Sequence, residues 1–250
     1  MTLLVVGGSG YLGSELLRQA PDALAPSSSE LDIRDEPSVA AFVERARPRA
    51  IVNAAYRRDE RATTCDGAVF VARAATACGA RLVHVSTDLV FDGEKGSPYV
   101  EEDEPAPVNE YGRDKADAER GAMVACPHAV IARTSLIYGG PSPGPQERMA
   151  ADASAAFFTD EYRCPVQVGD LASALLELVG LDHRGPLHVA GADRVSRHEL
   201  AELLRGGPVR AASAADAGEL RPRDCSLSID RARGLLRTRL RGVREVLKSP

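Results

Sequence analysis

The chain has 250 residues, 44% of them apolar, which is enough for one large α/β core or two small ones. Its formal charge of −5 comes from 36 acidic and 31 basic side chains mixed along the sequence, so no basic stripe awaits a phosphate backbone and nucleic acid is excluded as a partner. The opening MTLLVVGGSG has none of the regions of a signal peptide, and no apolar run approaches the roughly 20 residues of a membrane crossing, so a soluble, cytoplasmic protein without a membrane partner is expected.

In chain order the patterns alternate strand and helix, the signature of a doubly wound parallel sheet covered on both faces. Leu3 to Val6 reads as a central strand and Tyr11 to Gln19 as a helix. Further buried strands are predicted at Ala50 to Val52, Leu82 to Val85 and Ala129 to Ala132, with helices at about Ser38 to Ala46, Gly67 to Cys78 and Tyr111 to Ala125. Two loops interrupt the rhythm: Asp92 to Asn109, whose acidic residues around Asp103 are expected to solvate it, and Gly139 to Gln146, GGPSPGPQ, whose composition predicts neither helix nor strand. Helices follow at Asp170 to Leu178, Ser196 to Leu204 and Ile229 to Leu236, with a late strand at Pro186 to Val189. From Arg231 to Lys248, the leucines and Val243 form a helical apolar stripe under a solvated arginine face. The expected division is a Rossmann-type part, 1–135 plus about 167–190, and a small C-terminal lobe, about 136–166 and 191–250.

Cys65, Cys78, Cys126, Cys164 and Cys225 are odd in number, scattered and never paired as Cys-x-x-Cys, which argues for reduced thiols and against a zinc site. The five histidines have no metal-ligand spacing either, and no metal is expected.

Gly7-Gly8-Ser9-Gly10-Tyr11-Leu12-Gly13 follows a strand and opens a helix, the context a dinucleotide-binding bend demands. Gly7 permits the tight turn, Gly10 lets backbone amides approach a pyrophosphate, and Gly13 lets the helix pack close. Where an acid on the ribose is usual, about 20 residues on, the chain has Ser27-Ser28-Ser29 and no acid until Glu30. Serine hydroxyls there suit a 2′-phosphate, which favours NADP(H) over NAD(H). Asp32-Ile33 then offers a carboxylate and an apolar wall for adenosine, although Asp32 equally suits a helix cap.

A second constellation is Tyr111-Gly112-Arg113-Asp114-Lys115, with Ser86-Thr87-Asp88 at the end of an earlier strand. Residues four apart share a helix face, so the Tyr111 hydroxyl and the Lys115 ammonium can enter one pocket. An adjacent cation would lower the phenol pKa toward the range useful for proton transfer, and Thr87 could orient a carbonyl.

The glycine motif, Asn53-Ala54-Ala55-Tyr56, VSTDLVFDG at 85–93, PYVEEDEPAPVNEYGRDKADAE at 98–119 and ARTSLIYG at 132–139 together resemble the extended short-chain dehydrogenase/reductases. The nearest likeness is to the dTDP-4-dehydrorhamnose reductases and their relatives, and it runs nearly the whole chain. It implies that Gly10, Tyr11 and Leu12 hold a pyrophosphate, Asp32 and Ile33 the adenosine, and that Ala54, Ala55 and Tyr56 line the cofactor. It further implies Thr87 as the catalytic hydroxyl, Tyr111 as proton donor, Lys115 as the group that lowers its pKa and binds the nicotinamide ribose, and Asp88 as a substrate contact.

The resemblance implies an NAD(P)H-dependent reductase of a ketone, with a 4-keto nucleotide sugar the most familiar substrate, acting as monomer or homodimer. Leu89 and Leu136 replace two aromatic substrate contacts of the rhamnose reductases, and the stretch between Ser135 and Phe157 is short, which points to a smaller or more apolar substrate. The same family includes a regulatory, cofactor-binding subunit of methionine adenosyltransferase and, further off, nucleotide-sugar epimerases, which stand as alternatives. No glutamate follows Asp88, which disfavours dehydration.

Overall fold

Successive strand side chains leave by opposite faces, so an all-apolar strand needs cover on both. In the computed structural model, which describes residues 2–218 and 220–248, β1 (Leu3–Val6) has that cover: Leu3 and Val5 join one buried cluster, Leu4 and Val6 another. With β2 (Ala50–Asn53), β3 (Arg81–Thr87), β4 (Val130–Thr134) and β5 (Gly185–His188) it forms a five-stranded parallel sheet in the order β1-β2-β3-β4-β5. The helices through this part are α1 (Tyr11–Gln19), α2 (Glu36–Ala46), α3 (Gly67–Cys78), α4 (Glu110–Ala125), α5 (Pro145–Ala151) and α6 (Val168–Leu178). Leu12 and Leu16 of α1 pack with Leu171 and Leu175 of α6 on one face, and Val39 and Val43 of α2 with Val71 and Ala75 of α3 and Ala122 of α4 on the other. Each such leucine, fully buried, contributes about 1.5–3 kcal/mol by leaving water.

Beyond β1 the sheet continues through one residue. Leu24 N donates to Leu3 O and Val5 N to Leu24 O, both at 2.8 Å. The chain therefore crosses from Leu24 on one side of β1 to β2 on the other, which makes the carboxyl end of β1 the topological switch point. At the opposite edge, His188 N donates to Glu101 Oε1 at 3.1 Å.

The remaining segments form pairs of very short strands: Ile137–Tyr138 with Val166–Gln167, Tyr162–Arg163 with Val195–Ser196, and Ala156–Phe158 with Arg210–Ala212. Around them lie α7 (Arg197–Arg205), α8 (Asp230–Leu235) and α9 (Val243–Lys248). Carboxylates tie these pieces together. Asp160 accepts from Ala214 N at 2.6 Å and Ser213 Oγ at 2.8 Å, and Glu177 accepts from Arg237 N at 2.8 Å and Thr238 N at 2.9 Å. Met1, Glu219, Ser249 and Pro250, three of which fall in the expected lobe, lie outside the described residues.

Three expectations are corrected. The apolar stripe from Arg231 to Lys248 is not one helix: the Leu236 amide is the last to bond back into α8, on Ala232 O, Glu177 takes the Arg237 and Thr238 amides, and the chain turns before α9. Leu235, Leu236 and Leu240 then join the sheet cluster, whereas Val243 and Leu247 join a separate one with Tyr138. The end of GGPSPGPQ is helical, since Pro145 occupies the first turn of α5, where its missing N–H costs nothing. Glu101 does not solvate its loop but is buried, with its carboxylate on β5.

Candidate active site

Between Val6 and α1 the backbone must reverse at once. Gly7 does so at φ +86°, and a Cβ there would lie 2.8 Å from Ala55 N. A Cβ on Gly13 would collide with the Gly7 carbonyl, so only glycine lets α1 pack this close. Gly10 is the N-cap residue of α1, with no side-chain cap and no acid in the first turn, which leaves the positive helix end open to an anion. The side chains of Tyr11 and Leu12 point elsewhere: Tyr11 Oη accepts from Gly140 N at 2.7 Å, and Leu12 is core. At the bend these two offer backbone amides only.

At the serines the premise that no carboxylate faces the hydroxyls fails. Glu30 Oε2 accepts from both Ser27 N and Ser27 Oγ at 2.8 Å. Asp32 does not cap α2; it accepts Arg34 Nε at 2.9 Å and Nη2 at 2.8 Å, which holds its carboxyl down at about 2. Sequence reasoning overlooked Arg34, whose guanidinium also reaches Glu60. Ile33 is buried, with its side chain packed against Gly67 at the start of α3.

A continuous line of contacts then runs along the carboxyl edge. The Gly7 bend abuts Ala54 and Ala55, the next residue Tyr56 is 58% exposed, and its ring centroid is 6.0 Å from that of Tyr111. Arg58, which the sequence reading did not single out, sets its guanidinium 5.0 Å from the Tyr111 ring. Asn109 caps α4 by accepting Gly112 N at 2.8 Å, and Gly112 lets the first turn close onto the Leu89 carbonyl, where any Cβ would clash. The first turn of α4 is thereby seated on the turn that follows Thr87, and the Asp88 carboxylate is close enough to act on the Tyr111 phenol. Burial pushes the Tyr111 phenol up, and the neighbouring Arg58 guanidinium opposes this. Lys115 is buried, donates to Val85 O at 2.6 Å, and is brought down to about 8 by loss of water.

Thr87 Oγ1 caps the turn Asp88–Val90 by accepting Leu89 N at 3.2 Å. The Asp88 carboxylate is buried, accepts Ser135 Oγ at 2.6 Å and lies 3.7 Å from Arg163 Nε, so it is already partnered. Burial pushes its pKa up. Leu136 packs on the cluster of Tyr138, Val195 and Leu200. Ser135 and Arg163 went unremarked in the sequence because their contacts with Asp88 span 47 and 75 residues, and only strand ends brought together by the fold supply them.

Comparison with known proteins identifies the family. The model of the RmlD substrate binding domain matches residues 1–249. The chain belongs to this family. A dTDP-4-dehydrorhamnose reductase of Mycobacterium tuberculosis is 37% identical over 81% of this chain and 74% of its own length. A dTDP-4-keto-6-deoxy-D-glucose reductase of Streptomyces niveus is 33% identical over 91% and 88%. Among solved structures, the dTDP-4-dehydrorhamnose reductase of Bacillus anthracis in complex with NADP superposes with a TM-score of 0.89 at 26% identity, over 99% of this chain and 98% of that one. As a member of the RmlD family with a Rossmann-type sheet, the chain is an oxidoreductase of the reductase type. No helix among the described residues is long and apolar enough to cross a membrane.

Proposed function

We propose that the protein uses NAD(P)H to reduce a ketone, with a 4-keto nucleotide sugar the foremost substrate, in the cytoplasm and as a monomer or homodimer. The observation that carries this reading is the unbroken line from the Gly7 bend through Ala55 and Tyr56 to Tyr111. The bend fits a pyrophosphate, because Gly7 and Gly13 let β1 turn directly into a closely packed α1, whose first amides are left open by the absence of a side-chain cap. Gly10, Tyr11 and Leu12 would hold the pyrophosphate through backbone N–H groups, and Ala54, Ala55 and Tyr56 would flank the ring. Asp32 and Ile33 would bound the adenosine, with Arg34 beside them as the cation for a 2′-phosphate; this supports NADP(H) over NAD(H), while Glu30 on Ser27 opposes it.

The cofactor, when bound, supplies the hydride. Tyr111 keeps its proton at neutral pH because burial raises its pKa, the state a proton donor needs. Thr87 would hold the carbonyl oxygen, Lys115 would bind the ribose and carry positive charge toward the phenol, and Asp88 would keep Ser135 and Arg163 fixed at the rim. Leu89 and Leu136 stand where relatives carry aromatic rings, which favours a less hydrogen-bonded ligand.

The test is steady oxidation of NADPH and NADH by the purified chain with a dTDP-linked 4-keto-6-deoxy sugar and a panel of small ketones. Consumption with any of them is expected. Tight cofactor retention with no consumption would replace the reductase by the regulatory-subunit or epimerase alternative.

A further inference from the structure

Lys115 is 2% exposed, and a buried ammonium persists only where acceptors meet it. It has three N–H donors, one of which is spent on Val85 O. The next comes from directly beneath. His84, wholly buried on β3, brings its Nε2 to 3.4 Å from Lys115 Nζ. An ammonium has no lone pair, so in this contact Nε2 must accept and the ring proton must stand on Nδ1. Nδ1 has no partner among the described residues. A packing role does not explain such an imidazole, because the strand neighbour on the same face, Leu82, fills its share of the cluster with no polar atom to satisfy.

We propose that His84 is a positioning residue for Lys115: its Nε2 and the Val85 carbonyl fix two ammonium donors, which leaves the third aimed at the cleft. The proposal rests on reading Lys115 as the group that meets the cofactor ribose. The groups facing Lys115 are His84 from β3, Cys65 from the turn before α3 and Glu119 one turn along α4. Glu119 is itself anchored by Arg133 Nη2 at 2.8 Å and by Ser86 Oγ. Burial lowers the Lys115 pKa, while Glu119 and Cys65 work to raise it. His84 stays neutral, since burial and the neighbouring ammonium hold its pKa well below the usual value. An accepting, uncharged ring therefore stabilises the cation without competing for the proton.

Three measurements decide the matter, none of which uses substrate. Nitrogen NMR of the intact chain near pH 6.5, where the lysine is charged, is expected to show His84 protonated on Nδ1; protonation on Nε2 overturns the proposal. In His84→Leu the Lys115 titration, followed by its ε-carbon shift, should move toward acid by about one unit, because the charged form loses an acceptor. NADPH should then bind about ten-fold more weakly, in step with that loss of a charge-assisted hydrogen bond. His84→Gln, which returns an amide oxygen, should restore both to within about three-fold. Unchanged Lys115 titration in His84→Leu, or equal defects in the two variants, rejects the positioning role. If His84→Leu fails to fold, the tautomer in the unaltered chain and the His84→Gln titration carry the test. A chain that shows this tautomer and titration but reduces no ketone would sink the reductase reading and leave the His84 contact standing.

Discussion

The five-stranded sheet and the short-strand segments after β4 are held by different forces. Between the sheet and α6, Val5, Val52, Val83, Leu171 and Leu175 are fully buried, and cohesion comes from apolar area, which is indifferent to pH. In the later segments, strands of two or three residues cannot cohere alone, and side-chain carboxylates grip backbone amides instead, as Asp160 does at Ala214 and Glu177 at Thr238. The contrast means that one part loses stability by cavity formation and the other by protonation.

The largest effect should fall on the chemistry at the sheet edge. Tyr111→Phe removes the hydroxyl but keeps the ring against Tyr56, so turnover should drop by at least about 10²-fold with cofactor affinity nearly unchanged. Turnover at the original rate would remove Tyr111 from the mechanism. Leu175→Ala, at a fully buried site between α6 and the sheet, should cost about 2–5 kcal/mol in urea unfolding. A loss under about 1 kcal/mol would mean that apolar packing is not what holds this half.

Glu177→Gln should cost less, about 1–2 kcal/mol, and should expose the stretch between α8 and α9 to protease before the sheet unfolds. Acid should imitate it. Burial pushes Glu177 up, but the Arg237 and Thr238 hydrogen bonds outweigh it and hold the group below its usual value; Asp160 is held low chiefly by Ala214 N. A folded-state pKa below the unfolded one gives stability that is complete above about pH 5 and lost as pH falls through about 4 and below. Amide exchange should therefore quicken at residues 213–216 and 237–243 while β1 to β4 stay protected, and simultaneous exchange of both parts would erase the distinction. The smallest effect is expected at the rim: Glu30→Gln removes the charge on Ser27 and should raise the NADPH-to-NADH preference several-fold in paired binding titrations.

The sheet was legible because each strand has a short apolar run and the helices carry a 3.6-residue stripe; Leu3 to Val6, Tyr11 to Gln19 and Gly67 to Cys78 match their observed limits. The two-residue strands were not, since a pair such as Tyr162–Arg163 has no period to read. At the candidate site, the glycine bend and the Tyr111-to-Lys115 spacing stand in the sequence as local patterns. Arg58 and Ser135 act across the fold on Tyr111 and Asp88, and only the meeting of strand ends reveals them. Helical spacing gives Tyr111 and Lys115 a shared face but not the direction in which a long side chain spends its donors, one of which goes to Val85 O.

The borders of the sheet bear on how copies of the chain can meet. On β1 the outward backbone groups of Leu3 and Val5 are consumed by Leu24, and on β5 the outward positions are Pro186, which has no N–H, and His188, whose N–H belongs to Glu101. Among the described residues neither border offers the row of free amides that templates strand addition, so the five-stranded sheet itself gives runaway cross-β stacking no starting point.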